Sequence, residues 1–439
     1  MKILLLDPER NVSHRISKDT NGAYGTGNDF GDSLIPNLLK KTLKYVHDWP
    51  PMFAIYSMAV LKKNGHEVIY SKNLPDKIND IDLFIVVSSI VCCETEVEEI
   101  KKISLSNKKI LAIGPFATNK PKKYLDAGAS VISGEPEFYF LQNKDLLNIS
   151  LNQIIYFKHD YNLDDLPYPD WGSVLRNRKT SLLFGFDKSL PVLATRGCPY
   201  SCFKYCVYPL QQGRLPRQRD PIKIVDELEY WYKNFNVKMF IFRDPVFSIN
   251  RKHTIVFCNE LISRKINIKF VIETHLRILD TELIKLLKKA GLRAAKVGVE
   301  SADEEVLKEA NRFTIKKNDE YLKIRELENN KVLISAMFII GFPTDNEKTI
   351  MNTINYAKKL NTTFAQFNVW TPYPGTPVFE EYKNKIIVNK FEEYDQYNLI
   401  YEHKILSQKN IRYLLGKAYT LYYARLNWFF KFVRSFIFV

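Results

Sequence analysis

The chain of 439 residues has only six cysteines and no apolar run long enough to span a bilayer. Cysteines this sparse exclude a disulfide framework. The first residues, MKILLLDPER, turn charged too soon for a secretory signal. These absences together lead us to expect a cytoplasmic protein with reduced thiols. Acid is missing from Lys404 to Val439, a stretch that holds seven Lys or Arg (404, 409, 412, 417, 425, 431, 434). Short internal repeats, low-complexity segments and an aromatic–basic repeat are also lacking. The net charge of +15 is therefore read as a basic tail on a solubilising lysine background, and nucleic acid is not an expected partner. What remains is ordinary: 46% hydrophobic and 26% charged residues suit a globular protein. The length suggests two folded units plus a tail.

Apolar runs at Lys2–Leu6, His66–Tyr70, Leu83–Val87, Lys109–Ile113 and Ser130–Ile132 read as short buried strands. A helical pattern at Pro51–Asn64 stops at Gly65. Such alternation predicts a doubly wound, Rossmann-like parallel sheet over residues 1–150, with a ligand beyond the carboxyl ends of its strands. A long Gly/Asn/Asp-rich loop, Val12–Leu38, is expected after the first strand. Asn162–Trp171 (NLDDLPYPDW) resists both helix and strand and marks a linker over 151–181. The second unit, 182–380 and starting near Leu182, shows runs at Pro191–Thr195, Lys238–Phe242, Ile268–Ile272, Ala294–Val299, Leu333–Ile340 and Phe364–Trp370. Helical stretches such as Pro221–Phe235, Lys252–Arg264 and Asp280–Ala290 separate them. Six such βα units predict a partial (β/α)6 barrel. A helical region, 381–439, ends the chain.

Three of the six cysteines, Cys198, Cys202 and Cys206, fall within nine residues, directly after the first strand of the second unit. Barrel enzymes place their chemistry at that position. Gly197 and Pro199 shape the loop. Three thiolates can hold a [4Fe–4S] cube and leave one iron open to a further ligand. Spacing alone leaves zinc, a disulfide with one cysteine over, or coincidence as alternatives. Cys92 and Cys93 follow an apolar run and Cys258 lies in a helical pattern, so all three read as core.

Several stretches together are similar to the radical S-adenosylmethionine (SAM) superfamily, in its class with an N-terminal cobalamin-binding domain. They are RGCPYSCFKYCVYPLQQGR (196–214), FRDPVF (242–247), ETHLRILD (273–280), GVES (298–301), GFPTDNEKT (341–349) and PYPGTP (372–377). GEPE (134–137) and DLPYPDW resemble the join between the two domains. The usual spacing is CxxxCxxC; here the last gap is one residue longer, as in a subset of the cobalamin class. The resemblance implies a [4Fe–4S] cluster on Cys198, Cys202 and Cys206 whose open iron chelates SAM, and reductive cleavage to a 5′-deoxyadenosyl radical. It also implies cofactor contacts. Tyr205 resembles the aromatic that packs on cluster and adenine, and Asp244 matches the position that meets the methionine ammonium. Glu273 and Glu300-Ser301 end strands where ribose and carboxylate contacts lie. Arg312 offers a guanidinium to the methionine carboxylate, and Gly341-Phe342 passes near the adenine. For each acid the plain alternative is a cap on the following helix.

Cobalamin is expected from the resemblance rather than from any motif, because the Asp-x-His-x-x-Gly signature is missing. His14, His47 and His66 stand outside that pattern. Ser88, Ser89 and Gly114-Pro115 are the strand-end positions where the cofactor would rest. The resemblance thus implies methylation of an unactivated carbon. Radical cyclisation or rearrangement without methyl transfer, and a non-catalytic iron–sulfur electron-transfer or binding protein, are the alternatives. A small-molecule or lipid-linked substrate and a reductant such as flavodoxin or ferredoxin are the expected partners. The aromatic, basic tail either packs on the barrel or lies on an anionic membrane surface.

Overall fold

A computed structural model of the chain describes residues 1–44, 49–146, 149, 151–157, 161–175, 188–312 and 315–437. Six short strands build the first sheet: β1 (Lys2–Leu6), β2 (Glu67–Ser71), β3 (Leu83–Val87), β4 (Lys109–Ile113), β5 (Ser130–Ser133) and β6 (Ile154–Tyr156). All pair in parallel in the order β2-β1-β3-β4-β5-β6. The order reverses between β1 and β3, the point at which doubly wound sheets open a crevice. β3 (LFIVV) is buried at every position, as a central strand covered on both faces must be.

That crevice is filled by the chain itself. The Lys18 ammonium lies beside Asp7 (3.0 Å) and Glu96 (2.9 Å) and donates to the Val87 carbonyl at 2.8 Å. Lys18 is 4% exposed, a position that a cation holds only with paired partners. The expected strand-end contacts are likewise engaged inside the protein. Ser88 Oγ accepts from the Ala117 amide and Ser89 Oγ donates to Glu96. The expected loop Val12–Leu38 ends early, because a helix Leu34–Lys44 starts within it.

The second sheet is built from β7 (Ser189–Val192), then β10 (Met239–Phe242), β11 (Lys269–Thr274), β12 (Leu292–Glu300), β13 (Leu333–Ile340) and β14 (Phe364–Val369). Between β7 and β10 lie two-residue strands, β8 (Thr195–Arg196) and β9 (Arg217–Gln218), paired with each other. The six long strands are parallel and neighbours in sequence are neighbours in space. The edges β7 and β14 do not pair, so the barrel is open, as expected for six βα units. The expected start near Leu182 lies outside the described residues.

The apolar core crosses the expected boundaries. Met52, Ile55 and Tyr56 of the helix Met52–Lys63 pack with barrel residues, and Trp171 of the expected linker is fully buried against Trp49. The expected tail forms two helices, Gln408–Tyr423 and Leu426–Ile437. The first lies against β14, where Tyr419 and Tyr423 hydroxyls bond the Phe367 and Ala365 backbone. Cys92, Cys93 and Cys258 are all 0% exposed, and burial pushes the Cys92 and Cys258 thiols up to about 12. No helix among the described residues is long and apolar enough to cross a membrane.

Candidate active site

The cysteine loop is closed at its base by the β8–β9 ladder. Strand β7 stops at Val192 because the Ala194 amide donates to Asp244 Oδ1 (2.8 Å) and not to a strand neighbour. Gly197 then turns with φ +88°, and a Cβ there would lie 2.3 Å from the Leu215 carbonyl oxygen, so only glycine fits. A short 3-10 turn, Ser201–Lys204, brings the Tyr205 and Cys206 amides onto the Cys202 carbonyl at 3.2 and 3.0 Å. Cys198 and Cys202 are buried and Cys206 half-buried. Burial, and then the other thiols, pushes the Cys206 thiol well up. Burial is also the main cause that raises Cys198. Bound iron would overturn that preference by deprotonating all three thiols.

Arg312 ties this loop to the barrel. Its guanidinium lies 3.6 Å from Cys202 Sγ, donates to the Gly298 carbonyl at 3.3 Å and pairs with Glu300 at 3.1 Å. Gly298 makes the room: a Cβ there would sit 2.5 Å from the guanidinium. Glu300 ends β12 at a bulge, with φ +62°, strained for a glutamate. Burial raises its carboxyl, against the pull of Arg312.

Beside the loop lies a cavity of about 470 Å³ between the barrel and the segment that follows β1. Tyr205, Cys206, Glu273 and Glu300 line it, together with Arg243 and Lys296. Arg243 pairs with Glu273 and reaches Asp19 at 3.5 Å, and Lys296 reaches Glu273 at 3.2 Å. Burial pushes the Glu273 carboxyl up, but Arg243 and Lys296 outweigh it and hold it below the usual range. Burial also lowers Lys296.

Of the residues expected at the site, the structure thus brings Cys198, Cys202, Cys206, Tyr205, Glu273, Glu300 and Arg312 together. Asp244, Ser301, Gly341 and Phe342 lie outside the cavity lining. Asp244 is a fully buried brace under the cysteine loop, pushed up to about 7 by burial. The Ser301 hydroxyl faces Thr353 (3.1 Å) and accepts from the Asp303 amide, while the Gly341 carbonyl takes the Tyr401 hydroxyl. Phe342 meets Tyr205 edge-on at 6.1 Å, so it backs the ring rather than lining the cavity.

Sequence reading missed Arg243, Lys296, Asp19 and the Arg196 latch. Lys296 carried a signal, since a lysine inside the apolar run AAKVGVE needs a partner. Arg196 is 4% exposed; it reaches Glu135 and Glu137 at 2.5 Å each, and Arg217 adds a contact to Glu135 at 2.8 Å. This network bolts the first sheet's last helix, Pro136–Gln142, to the residue two before Cys198.

The donor set suits a thiolate-held cluster: three cysteines on one loop, a guanidinium beside one sulfur, and the buried Tyr205 hydroxyl without a partner. Among the described residues no group of three or more His, Cys, Asp or Glu forms a single-ion site. Residues 192–357 match the Radical SAM superfamily, and the match encloses the cysteine loop and four long strands of the barrel, β10 to β13. This stretch is a radical SAM domain. This radical SAM protein is 27% identical over 413 residues to the anaerobic magnesium-protoporphyrin IX monomethyl ester cyclase of Cereibacter sphaeroides, covering 85% of this chain and 67% of that protein. It is 33% identical over 230 residues to the Rubrivivax gelatinosus cyclase, over 52% of this chain and 40% of that one. With the bacteriochlorophyllide d C-8(2)-methyltransferase of Chlorobaculum tepidum it shares 24% over 378 residues, 82% of each chain. In fold it is similar to the radical SAM methyltransferase TsrM of Kitasatospora setae, with a TM-score of 0.62 at 16% identity, covering 87% of this chain and 75% of that one. A radical SAM domain implies a [4Fe–4S] cluster and SAM as co-substrate.

Proposed function

We propose that this radical SAM enzyme is cobalamin-dependent and methylates an unactivated carbon of a small molecule held in the cavity between the cysteine loop and residues 15–28. The observation that carries the reading is that one cavity touches three things at once: Cys206, the barrel strands, and the segment of the first domain that follows β1. With the cluster, SAM and a reductant such as flavodoxin or ferredoxin bound, the cofactors supply a hydrogen-abstracting 5′-deoxyadenosyl radical.

The chain's own residues do the rest. The Arg312 guanidinium beside Cys202 would offset part of the negative charge of an iron-bound sulfur, and it shares its charge with Glu300. Glu300 and Glu273 would offer carboxylates to the hydroxyl and ammonium groups of SAM, and Arg312 a guanidinium to its carboxylate. Tyr205, backed by Phe342, shields the loop from water. A corrinoid has an amide-rich rim, and Asn28, Gln366, Asn368 and Gln396, which line the cavity between the first domain and the barrel, offer polar groups that fit such a rim. The corrinoid would sit against residues 15–28, because Lys18 closes the β1–β3 crevice.

Methyl-labelled SAM tests the reading: labelled product supports methylation. Unlabelled product with deoxyadenosine formed supports instead a cyclisation or rearrangement. That second reading is favoured by the 413-residue match to a cyclase.

A further inference from the structure

The barrel's amino-terminal mouth, opposite the cysteine loop, carries a charge pattern that the proposed reaction does not use. Five successive long strands start on a basic residue: Lys188 just before β7, Lys238 before β10, Lys269 opening β11, Arg293 in β12 and Lys331 before β13. None of these has a carboxylate within ion-pair distance among the described residues; Lys188 meets only the Phe235 carbonyl. Lys288 sits among them, donating to the Lys331 carbonyl. Burial, helped by repulsion from Lys269, Arg293 and Lys331, lowers it to about 8. Arg293 is 4% exposed, yet among the described residues it bonds the Ser435 carbonyl alone, at 3.3 Å, and Nε and Nη1 are unpartnered.

The helix Leu426–Ile437 crosses this same mouth. Trp428 donates to the Thr363 carbonyl just before β14, Phe432 packs on Phe364 at 5.9 Å, and Lys431 pairs with Glu328. Those contacts use one face of the helix. The opposite face presents Leu426, Phe429 and Phe430, at 74%, 52% and 66% exposure and at i, i+3, i+4 spacing, with Arg434 also exposed. Three large apolar side chains left in water beside a ring of unpaired cations need a partner that is at once apolar and anionic.

We infer that the barrel mouth and the helix Leu426–Ile437 form a docking surface for an anionic lipid bilayer, with Phe429 and Phe430 entering the interface and the lysines facing the headgroups. A second copy of this chain would bring the same positive ring and repel it. A nucleic-acid duplex, its bases already stacked, would satisfy the cations and leave the aromatics in water. The helix lies on the bilayer and does not cross it.

The test is co-sedimentation of the full chain with phosphatidylcholine vesicles, with or without phosphatidylglycerol. Binding only to the mixed vesicles, weakened by salt, is expected. A Phe429→Ser, Phe430→Ser double variant should partition about tenfold less, because the docking contacts of Trp428 and Phe432 remain. Lys269→Glu with Lys331→Glu should weaken binding again without changing iron uptake. Four results would overturn the inference: no binding to mixed vesicles; binding that neither variant alters; self-association without lipid that the serine variant abolishes; or RNA binding that displaces the vesicles and ignores the serine variant.

Discussion

Replacing Arg196 with Met removes one of the buried charges that join the two halves of the molecule. In the native chain its guanidinium serves two buried carboxylates, Glu135 and Glu137, at 2.5 Å each. Glu135 keeps Arg217 at 2.8 Å after the substitution. Glu137, 0% exposed, loses its one cation among the described residues. Breaking a buried pair costs about 3–5 kcal/mol. Burial already pushes the Glu137 carboxyl up, and without Arg196 it rises further and takes a proton, so the lower end, about 3 kcal/mol, is expected. At about 1.4 kcal/mol per decade, local opening becomes about a hundredfold more frequent. Hydrogen exchange of residues 135–142 and 197–216 reads this directly, with iron bound per chain as the second readout. Adding Glu137→Gln to the variant removes the cost of protonating that buried carboxyl and should recover about tenfold of the protection. If the double variant opens as readily as Arg196→Met, or if Arg196→Met leaves exchange unchanged, the latch does not couple the sheet to the loop.

Two further outcomes follow from the same geometry. Gly197→Ala forces a left-handed alanine and drives its Cβ into the Leu215 carbonyl; the chain should still fold, yet hold less iron after reconstitution than the wild type, and equal iron would refute the role of this turn. Asp244 has its carboxyl raised from an ordinary 3.8 to about 7, so the folded state keeps a proton that the unfolded state releases. Its contribution is present at low pH and lost as pH rises through about 7, by up to about 4 kcal/mol across that window at about 1.4 kcal/mol per pH unit. Asp244→Asn should flatten this dependence and be the more stable form at pH 8 in thermal melts; parallel curves for the two proteins would refute it.

Where local chemistry decides an element, the sequence predicted it closely. The helix Pro221–Phe235 is found at its expected bounds, because Asp220 caps it, Pro221 fits its first turn and Asn236 closes it in a left-handed conformation. Strands Leu83–Val87 and Lys109–Ile113 are likewise as expected, since continuous apolar runs of that length suit buried parallel strands. The misses have non-local causes. The first barrel strand was expected to run to Thr195, but Asp244, fifty residues on, takes the Ala194 amide, and Arg217–Gln218 takes Thr195–Arg196. The helix Leu34–Lys44 overlaps the end of the expected loop by five residues; Pro36 and Asn37 in its first turn read as loop, while its apolar face, Leu39 and Leu43, packs on a core contributed by distant residues. At the site, the clustering of three cysteines marked the loop, while the resemblance carried by the surrounding motifs, rather than the spacing, implied the cluster. The Glu135–Arg196 pair, 61 residues apart in sequence, and the Arg243–Glu273–Lys296 set exist only once two sheets and three strands are assembled.

The measurement that bears most directly on the central claim is anaerobic reconstitution with iron and sulfide, followed by SAM, dithionite and assay for 5′-deoxyadenosine, with wild type and Cys206→Ala side by side. A [4Fe–4S] spectrum and deoxyadenosine from the wild type, with both lost in the variant, is the predicted result. A wild-type chain that takes up no iron, or a Cys206→Ala chain that cleaves SAM as fast as the wild type, would contradict it.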